Sequence, residues 1–189
     1  MNDIVEKLQE LFGLECIFSQ QEASLRPASV WMAGEALYCK ALARPKSTEE
    51  LAEIMRICHE YAQPVVPHGG LTGVAGGAKV SGDEIAITLE RMNKIEEIDV
   101  VNKTVTVQAG VILQDLQQRV AKQGFLFPLD LGAKGSCMIG GNIATNAGGL
   151  QALRYGVMRQ LVLGLEVVLA DGTIISSMNK MMKNNAGYD

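Results

Sequence analysis

The sequence predicts an α+β fold, in which helices and short strands are mixed and antiparallel hairpins come late in the chain. Segments with helical periodicity alternate with short apolar runs, and an Asp-Gly pair separates two such runs near residue 171. No internal repeat is visible. We do not expect a doubly wound parallel sheet, because neighbouring strands late in the chain are joined by tight turns rather than by helical crossovers.

Length and composition restrict the possible functions. The chain has 189 residues, a net charge of −4 and 48% hydrophobic residues, which fits about one domain with a buried core. The mild acidity gives no electrostatic reason to expect a nucleic acid or an anionic membrane as partner. Four scattered cysteines, without a CxxC pair, argue against a zinc site or a disulfide framework. No signal peptide or membrane span is apparent, so the sequence favours a cytoplasmic protein.

The first 41 residues contain one clear element. Apolar residues at Ile4, Leu8 and Leu11 share one face of a helix predicted over residues 2–11. Residues 15–38 show no clean period, and we interpret Trp31 within them as a packing residue.

A helix and a strand follow. Ser47 and Glu50 have the spacing of a capping box, and the helix that they start must end before Pro64. Residues 65–66 then form a short strand, which Pro67 is expected to end.

The middle of the chain predicts a strand, a hairpin and a helix. The strand covers residues 85–89, and the hairpin pairs residues 98–101 with 104–107. A helix over residues 111–123 is expected to end at Gly124.

The last predicted element is a second hairpin, which pairs residues 161–170 with 173–176. Its turn is Asp171-Gly172, a pair that favours type I′ geometry.

Glycine is the unusual component, at 20 of 189 residues, and 13 of these glycines lie in two clusters at 69–82 and 132–156. The first cluster directly follows a strand. Residues without a Cβ let successive backbone N–H groups turn toward one point, which suits an anion with several oxygens, such as a diphosphate. The alternative is a glycine-rich surface turn, which we consider the weaker interpretation because Lys79 is the only charge in this cluster.

Two common phosphate-binding motifs are excluded. A P-loop requires Gly-Lys-Ser/Thr, and Lys134-Gly135-Ser136 has the wrong order. A Rossmann loop requires Gly-x-Gly-x-x-Gly at the start of a helix, whereas Gly70, Gly73 and Gly76 are followed by more glycine.

The second cluster combines small residues with polar ones. We expect Ser136 to cap a short helix that extends to residue 143. Asn142, Thr145 and Asn146 supply polar side chains that could orient a flat cofactor. A tightly packed corner between a helix and a strand is the alternative.

The two clusters resemble the flavin-binding loops of the vanillyl-alcohol-oxidase/para-cresol-methylhydroxylase (PCMH-type) FAD-binding domain. The run GGNIATNAGG at residues 140–149 is the most specific part, and residues 44–50, 163–173 and 183–189 also match. Within the superfamily the chain looks most like the glycolate, D-lactate and D-2-hydroxyglutarate dehydrogenase branch. The resemblance implies an N-terminal helical arm (1–41) and a FAD-binding domain (42–189) of two α/β subdomains with FAD between them, incomplete at its C-terminus.

The resemblance assigns FAD contacts to both loops. The first loop would hold the diphosphate through Pro67, His68, Gly69, Gly70, Leu71, Thr72, Gly73 and Ala75. The second would line the flavin and its ribityl and diphosphate chain through Pro128, Asp130, Ser136, Cys137, Gly140, Gly141, Asn142, Thr145, Asn146, Ala147 and Gly148.

The resemblance also implies an activity. FAD is expected to be non-covalent, because Leu71 stands where the family can carry a flavin-linked histidine, although a Cys137 thioether is an alternative. The implied enzyme oxidises a 2-hydroxy acid, such as D-lactate, glycolate or D-2-hydroxyglutarate, to the 2-oxo acid. The alternatives are another flavoenzyme of the superfamily, a non-catalytic flavin-binding subunit that acts through a partner subunit, and an inactive fragment. No catalytic residue is assigned.

Overall fold

A mixed four-stranded sheet organises the first half of the chain. This computed structural model describes residues 3–31 and 34–181. The strands of the sheet are Ile17–Ser19 (β1), Ala41–Ala43 (β2), Val65–His68 (β3) and Ile85–Thr88 (β4). Their order is β1-β2-β4-β3; β2, β4 and β3 are parallel, and β1 is antiparallel to β2. Every residue of β2 and β4 is buried, as expected of strands covered on both faces.

Helices α1 (Ile4–Phe12) and α3 (Thr48–Glu60) cover one face of this sheet. Leu8 of α1 and Ile54 of α3 are fully buried there in one apolar cluster with the strands. The other face packs against a smaller cluster that includes Leu37 and Ala23, the last residue of helix α2 (Gln20–Ala23). The sheet is therefore a central layer between two apolar clusters.

The starts of these helices follow local capping chemistry. The Asp3 side chain accepts a hydrogen bond from the Val5 amide, so α1 begins at Ile4 rather than at residue 2, which lies outside the described residues. Ser47 accepts from the Glu50 amide at 3.2 Å, as predicted. The Glu50 carboxylate accepts from the Lys46 amide, however, and not from that of Ser47.

Strand β3 continues through Pro67, so the expectation that this proline ends the strand is wrong. Pro67 pairs with Ile87, and His68 pairs with Thr88. The reason is the position of β3 at the edge of the sheet, where a residue without an N–H can face solvent without breaking the ladder.

The second half of the chain is built around a hairpin and helix α4 (Leu113–Ala121). The hairpin pairs β5 (Ile95–Asp99) with β6 (Thr104–Val107). Strand β5 ends before the predicted position because the Asp99 carboxylate accepts from two amides of the turn. A separate apolar cluster joins the hairpin, α4 and later residues such as Leu129 and Met158.

Helix α4 is shorter than the predicted range of residues 111–123. Ile112 is extended and forms an antiparallel bridge with Met138, so the helix cannot start before Leu113. At the other end, Gly124 has a φ of +79°, which fits the residue type that commonly follows a helix.

The last three elements before the final hairpin are short: α5 (Ile139–Ala144), α6 (Ala152–Tyr155) and a 3₁₀ turn at Met158–Leu161. Met138, not Ser136, occupies the N-cap position of α5, and no side chain caps it. The Ser136 prediction is wrong because the bridge to Ile112 keeps the chain extended through Met138.

The final hairpin pairs β7 (Leu165–Val168) with β8 (Ile174–Ser177). The sequence predicted this pairing, but the first strand is shorter than the predicted range of residues 161–170, because the 3₁₀ turn extends to Leu161. Its turn is not type I′, which needs a positive φ at both central residues. Of Asp171 and Gly172, only Gly172 has one, at +85°. The Gly172 amide donates to the Leu169 carbonyl, and the Leu169 amide donates to Thr173, which makes a three-residue loop. The match at residues 183–189 lies outside the described residues.

The first 41 residues include a strand as well as helices. Strand β1 extends the sheet beside β2, and α1 packs in the same apolar cluster as α3. The division of the chain at residue 42 stays a prediction.

The four cysteines are free and buried: Cys16, Cys39, Cys58 and Cys137. Burial raises the pKa of each thiol, that of Cys58 to about 11. Near neutral pH they are therefore protonated and shielded from solvent.

We accordingly expect the folded chain to resist thiol reagents. An aromatic disulfide reagent should react slowly with the native protein and with all four thiols once denaturant is added, because the thiolate is the reactive form. Absorbance of the released aromatic thiol measures both rates. Rapid reaction of one equivalent in the native chain would contradict the burial described above.

Candidate functional site

The first glycine loop, residues 69–78, leaves the sheet at the end of β3 and is closed by His68. The His68 ring is buried, and its Nε2 lies 2.9 Å from the Ala78 carbonyl oxygen. Burial lowers the pKa of His68, so the ring is neutral near neutral pH. The nitrogen that faces the carbonyl must then carry the proton and donate. His68 thus ties the two ends of the loop together.

The backbone of this loop presents unused donors. Among the residues that the structure describes, none accepts a hydrogen bond from the backbone N–H groups of residues 70–75. Leu71 has a φ of +55°, a left-handed conformation that turns the chain sharply. Gly73 has no atom within 4 Å of the position that a Cβ would occupy, so this part of the loop is open.

The fold brings the two predicted glycine clusters into backbone contact. A Cβ on Gly70 would lie 1.9 Å from the carbonyl oxygen of Ser136, which is closer than any real contact. A Cβ on Gly69 would lie 3.5 Å from the Cα of Gly141. The first loop therefore packs directly on the segment that leads into α5, and Gly70 has no room for a side chain.

The second loop, residues 128–149, is held mainly by its own backbone and by buried polar contacts. Asn142 is 4% exposed, and its Nδ2 donates to the Cys137 sulfur at 3.5 Å. A Cβ on Gly140 would lie 2.7 Å from that of Ala109, so α5 also begins in close contact with the chain after β6.

The remaining predicted site residues of the second loop contact other parts of the chain. The Thr145 hydroxyl donates to the Gly141 carbonyl at 2.9 Å, and Asn146 Oδ1 accepts from the Arg159 amide at 3.0 Å. Asp130 lies 3.4 Å from Lys134 Nζ. The Ala147 amide donates to the Asn142 carbonyl, Gly148 lies beside Val157, and Pro128 is half-buried.

A cleft of about 390 Å³ opens where the two loops meet. It contains some of the predicted site residues, namely His68, Gly69, Gly70, Leu71 and Ser136. It also contains residues that sequence reasoning missed: Arg26, Pro27, Leu37, Leu42, Thr88, Glu90 and Met138. A second cavity of about 370 Å³ shares Glu90 and Met138 with it. The other 14 predicted site residues line neither cavity: Pro67, Thr72, Gly73, Ala75, Pro128, Asp130, Cys137, Gly140, Gly141, Asn142, Thr145, Asn146, Ala147 and Gly148.

Glu90 connects two arginines at the wall of the cleft. Arg26 donates to both of its carboxylate oxygens, at 2.7 and 2.9 Å, and Arg44 Nε donates at 2.6 Å. Burial opposes the ionisation of Glu90, but the hydrogen bonds from the arginines outweigh this effect and lower its pKa. Of the two arginines, only Arg26 lines the cleft together with Glu90, and the three groups together carry one net positive charge.

Comparison with known proteins agrees with this arrangement. A family model described as a FAD-binding domain matches residues 39–177. The chain belongs to this FAD-binding family. The resemblance inferred from the two glycine clusters is confirmed, and so is the expectation that FAD is the cofactor.

The FAD-binding domain has curated relatives in mammals. The chain is 49% identical over 166 residues to the mitochondrial D-2-hydroxyglutarate dehydrogenase of Bos taurus. The aligned region covers 87% of this chain and 30% of the relative. It is 43% identical over 186 residues to the mitochondrial enzyme of the same name from Rattus norvegicus, with coverage of 96% and 35%. The chain thus spans about a third of the length of these relatives.

Solved structures support the fold. An alkyldihydroxyacetonephosphate synthase structure superimposes with a TM-score of 0.81 over 94% of this chain and 34% of that one, at 22% sequence identity. At this level of identity the likeness concerns the fold alone, and it agrees with the predicted mixture of helices and strands.

The comparisons correct the expected location. Both mammalian relatives are named as mitochondrial proteins, so the expectation of a cytoplasmic protein is wrong. Within residues 3–31 and 34–181, no helix of this FAD-binding chain is long and apolar enough to cross a membrane.

Proposed function

We propose that the chain is the FAD-binding part of a flavin-dependent dehydrogenase that oxidises a small 2-hydroxy acid to the 2-oxo acid. The two mammalian relatives are named D-2-hydroxyglutarate dehydrogenases, which makes this acid the first substrate to test. A relative from Schizosaccharomyces pombe, 45% identical over 146 residues, is named as a putative D-lactate dehydrogenase, so D-lactate is the second. FAD supplies the two-electron acceptor for such a reaction. The contribution of this chain is to bind and orient the cofactor.

The proposal depends on the first glycine loop. This loop has a run of backbone N–H groups without acceptors, and it packs so closely on the second loop that one of its glycines has no room for a side chain. The N–H groups of residues 70–75 are without acceptors among the described residues, and Gly70 packs on the Ser136 carbonyl. A diphosphate has several oxygens that accept hydrogen bonds, and close backbone approach is what glycine permits. Gly70, Leu71, Thr72, Gly73 and Ala75 would therefore hold the diphosphate through their N–H groups, with His68 closing the loop behind them. Pro67, which has no N–H, and Gly69 would shape the start of the loop.

The second loop would line the rest of the cofactor. We assign this role to Ser136, Gly141, Thr145 and Asn146, with Gly140, Asn142, Ala147, Gly148, Pro128 and Asp130 shaping the loop around them. The burial of Cys137, at 3% exposure, supports a packing role for its sulfur. Leu71 and the buried Cys137 thus both support non-covalent FAD.

The test is an absorbance spectrum of the purified chain before and after acid precipitation, followed by titration of the apoprotein with FAD. Flavin bands that move to the supernatant, together with saturable rebinding, are the expected result. Trp31 is the only tryptophan in the chain, so quenching of its emission by added FAD provides a second signal. A colourless protein that does not bind added FAD would overturn the proposal, and flavin in the pellet would overturn its non-covalent part.

The proposed activity is tested on the purified protein with D- and L-2-hydroxyglutarate and an artificial electron acceptor. Turnover of the D enantiomer supports a dehydrogenase. FAD binding without turnover of either enantiomer would show that this chain by itself supplies only the binding of the cofactor.

A further inference from the structure

A hairpin-like segment before β2 rests on the first glycine loop. This arm loop, residues 26–31 and 34–37, is closed by a bridge between Pro27 and Ala36. Hydrogen bonds from the Ala28 amide to Glu35 and from the Leu37 amide to Arg26, both 2.8 Å, reinforce it. The Arg26 side chain in turn is bound by Glu90. The arm loop is therefore anchored at its base to Glu90, two residues after the end of β4.

The far end of the arm loop donates two hydrogen bonds to the glycine loop. The Val30 amide donates to the Leu71 carbonyl at 3.1 Å, and the Trp31 ring Nε1 donates to the Thr72 carbonyl at 2.9 Å. Val30 is 51% exposed and Trp31 is 65% exposed, so Trp31 is not the packing residue that the sequence suggested. What it contributes in this structure is a hydrogen bond.

These bonds determine where the next amides point. In a trans peptide, the C=O of one residue and the N–H of the next point in opposite directions. Because the Leu71 and Thr72 carbonyls face the arm loop, the N–H groups of Thr72 and Gly73 face away from it. Both N–H groups are without an acceptor among the described residues.

We propose that the arm loop positions the diphosphate-binding amides: Val30 and Trp31 hold two successive carbonyls so that the N–H groups of Thr72 and Gly73 are presented together. This inference rests on the proposed binding of FAD by the first loop. Trp31 is thus a positioning residue, which acts through the peptide planes of the loop and not through contact with the flavin.

The test compares Trp31→Phe, which keeps an aromatic ring but removes the donor, with wild type in the full 189-residue chain. Calorimetry measures the dissociation constants of FAD and of ADP, which carries the diphosphate without the flavin. We expect both to rise by about fivefold, as for loss of one or two well-aligned donors. The urea midpoint of the apoprotein should stay unchanged, because a residue that is 65% exposed contributes little to folding.

Val30 offers a matched pair of variants. Val30→Pro removes the donating N–H, whereas Val30→Ala keeps it, so only the proline variant should weaken FAD and ADP binding. Unchanged affinity in Trp31→Phe and Val30→Pro would overturn the inference while leaving FAD binding intact. Weaker FAD with unchanged ADP would also overturn it, since Trp31 would then act on the flavin. A wild-type chain that does not bind FAD would overturn the proposed function and the inference together.

Discussion

Replacing Gly70 by alanine is expected to destroy FAD binding. The new Cβ would lie 1.9 Å from the Ser136 oxygen and 2.8 Å from its carbonyl carbon, and both of these are backbone atoms that no change of rotamer can move. The first loop must then shift away from α5. We expect FAD affinity to fall at least about 100-fold and the free energy of unfolding to fall by about 3 kcal/mol. Calorimetric titration and urea unfolding measure the two effects.

Gly77→Ala is the matched control. No atom lies within 4 Å of the position of its Cβ, and its backbone is not in the left-handed region. This variant should bind FAD as wild type does. Equal effects of the two substitutions would mean that loop flexibility, and not the contact between Gly70 and Ser136, makes glycine necessary.

Replacing Glu90 by glutamine is expected to lower the free energy of unfolding of the chain substantially. The neutral amide keeps the shape of the carboxylate but leaves the Arg26 and Arg44 guanidinium groups facing each other without a counter-charge. The side chains of Arg26, Glu90 and Arg44 are 33%, 26% and 21% exposed, so the loss should be below that of a fully buried pair, at about 2 kcal/mol. Urea unfolding measures it.

The control for Glu90 is Glu53→Gln. Glu53 pairs with Arg56 on the surface of α3, where both side chains are nearly half exposed. Such pairs contribute about 0.5 kcal/mol or less. A Glu90→Gln variant no less stable than Glu53→Gln would show that the two arginines are satisfied by solvent.

The effect of Glu90 should depend on pH. Its pKa is lower in the folded chain than the value of about 4.3 expected when unfolded, so ionised Glu90 favours the folded state. This contribution is fully present above the unfolded pKa and is lost as the pH falls through the folded one. The difference in unfolding free energy between wild type and Glu90→Gln should therefore narrow on acidification. A constant difference would contradict the lowered pKa.

Sequence reasoning reached the parts of the site that are encoded locally. The glycine clusters, the helix after Ser47 and the strand that begins at Val65 all depend on residue types at short spacing. Such patterns reflect backbone requirements, which do not depend on the rest of the fold. The assignment of both loops to one FAD cofactor came instead from their resemblance to the flavin-binding loops of a known family.

The missed features depend on distant parts of the chain. Arg26 and Glu90 are 64 residues apart, and the Trp31 donor meets a carbonyl 41 residues away. The error at Pro67 has the same origin, since only the strand order reveals that β3 is an edge strand. Ser136 was predicted to cap α5 from its residue type alone. The prediction failed because Met138 is held extended by its bridge to Ile112, which the local sequence does not reveal.

The contact between Gly70 and Ser136 has a thermodynamic consequence. It joins two parts of the chain that each have their own apolar cluster, one around the first sheet and one around α4. A ligand that contacts both loops would stabilise the contact between them. The free energy of that stabilisation equals the free energy by which the contact strengthens binding of the ligand, because the two are thermodynamically linked. Cofactor at 100 times its dissociation constant would add about 2.7 kcal/mol to the stability of the whole chain. A cofactor that contacts both loops would thus stabilise the folded chain as well as supply the redox group.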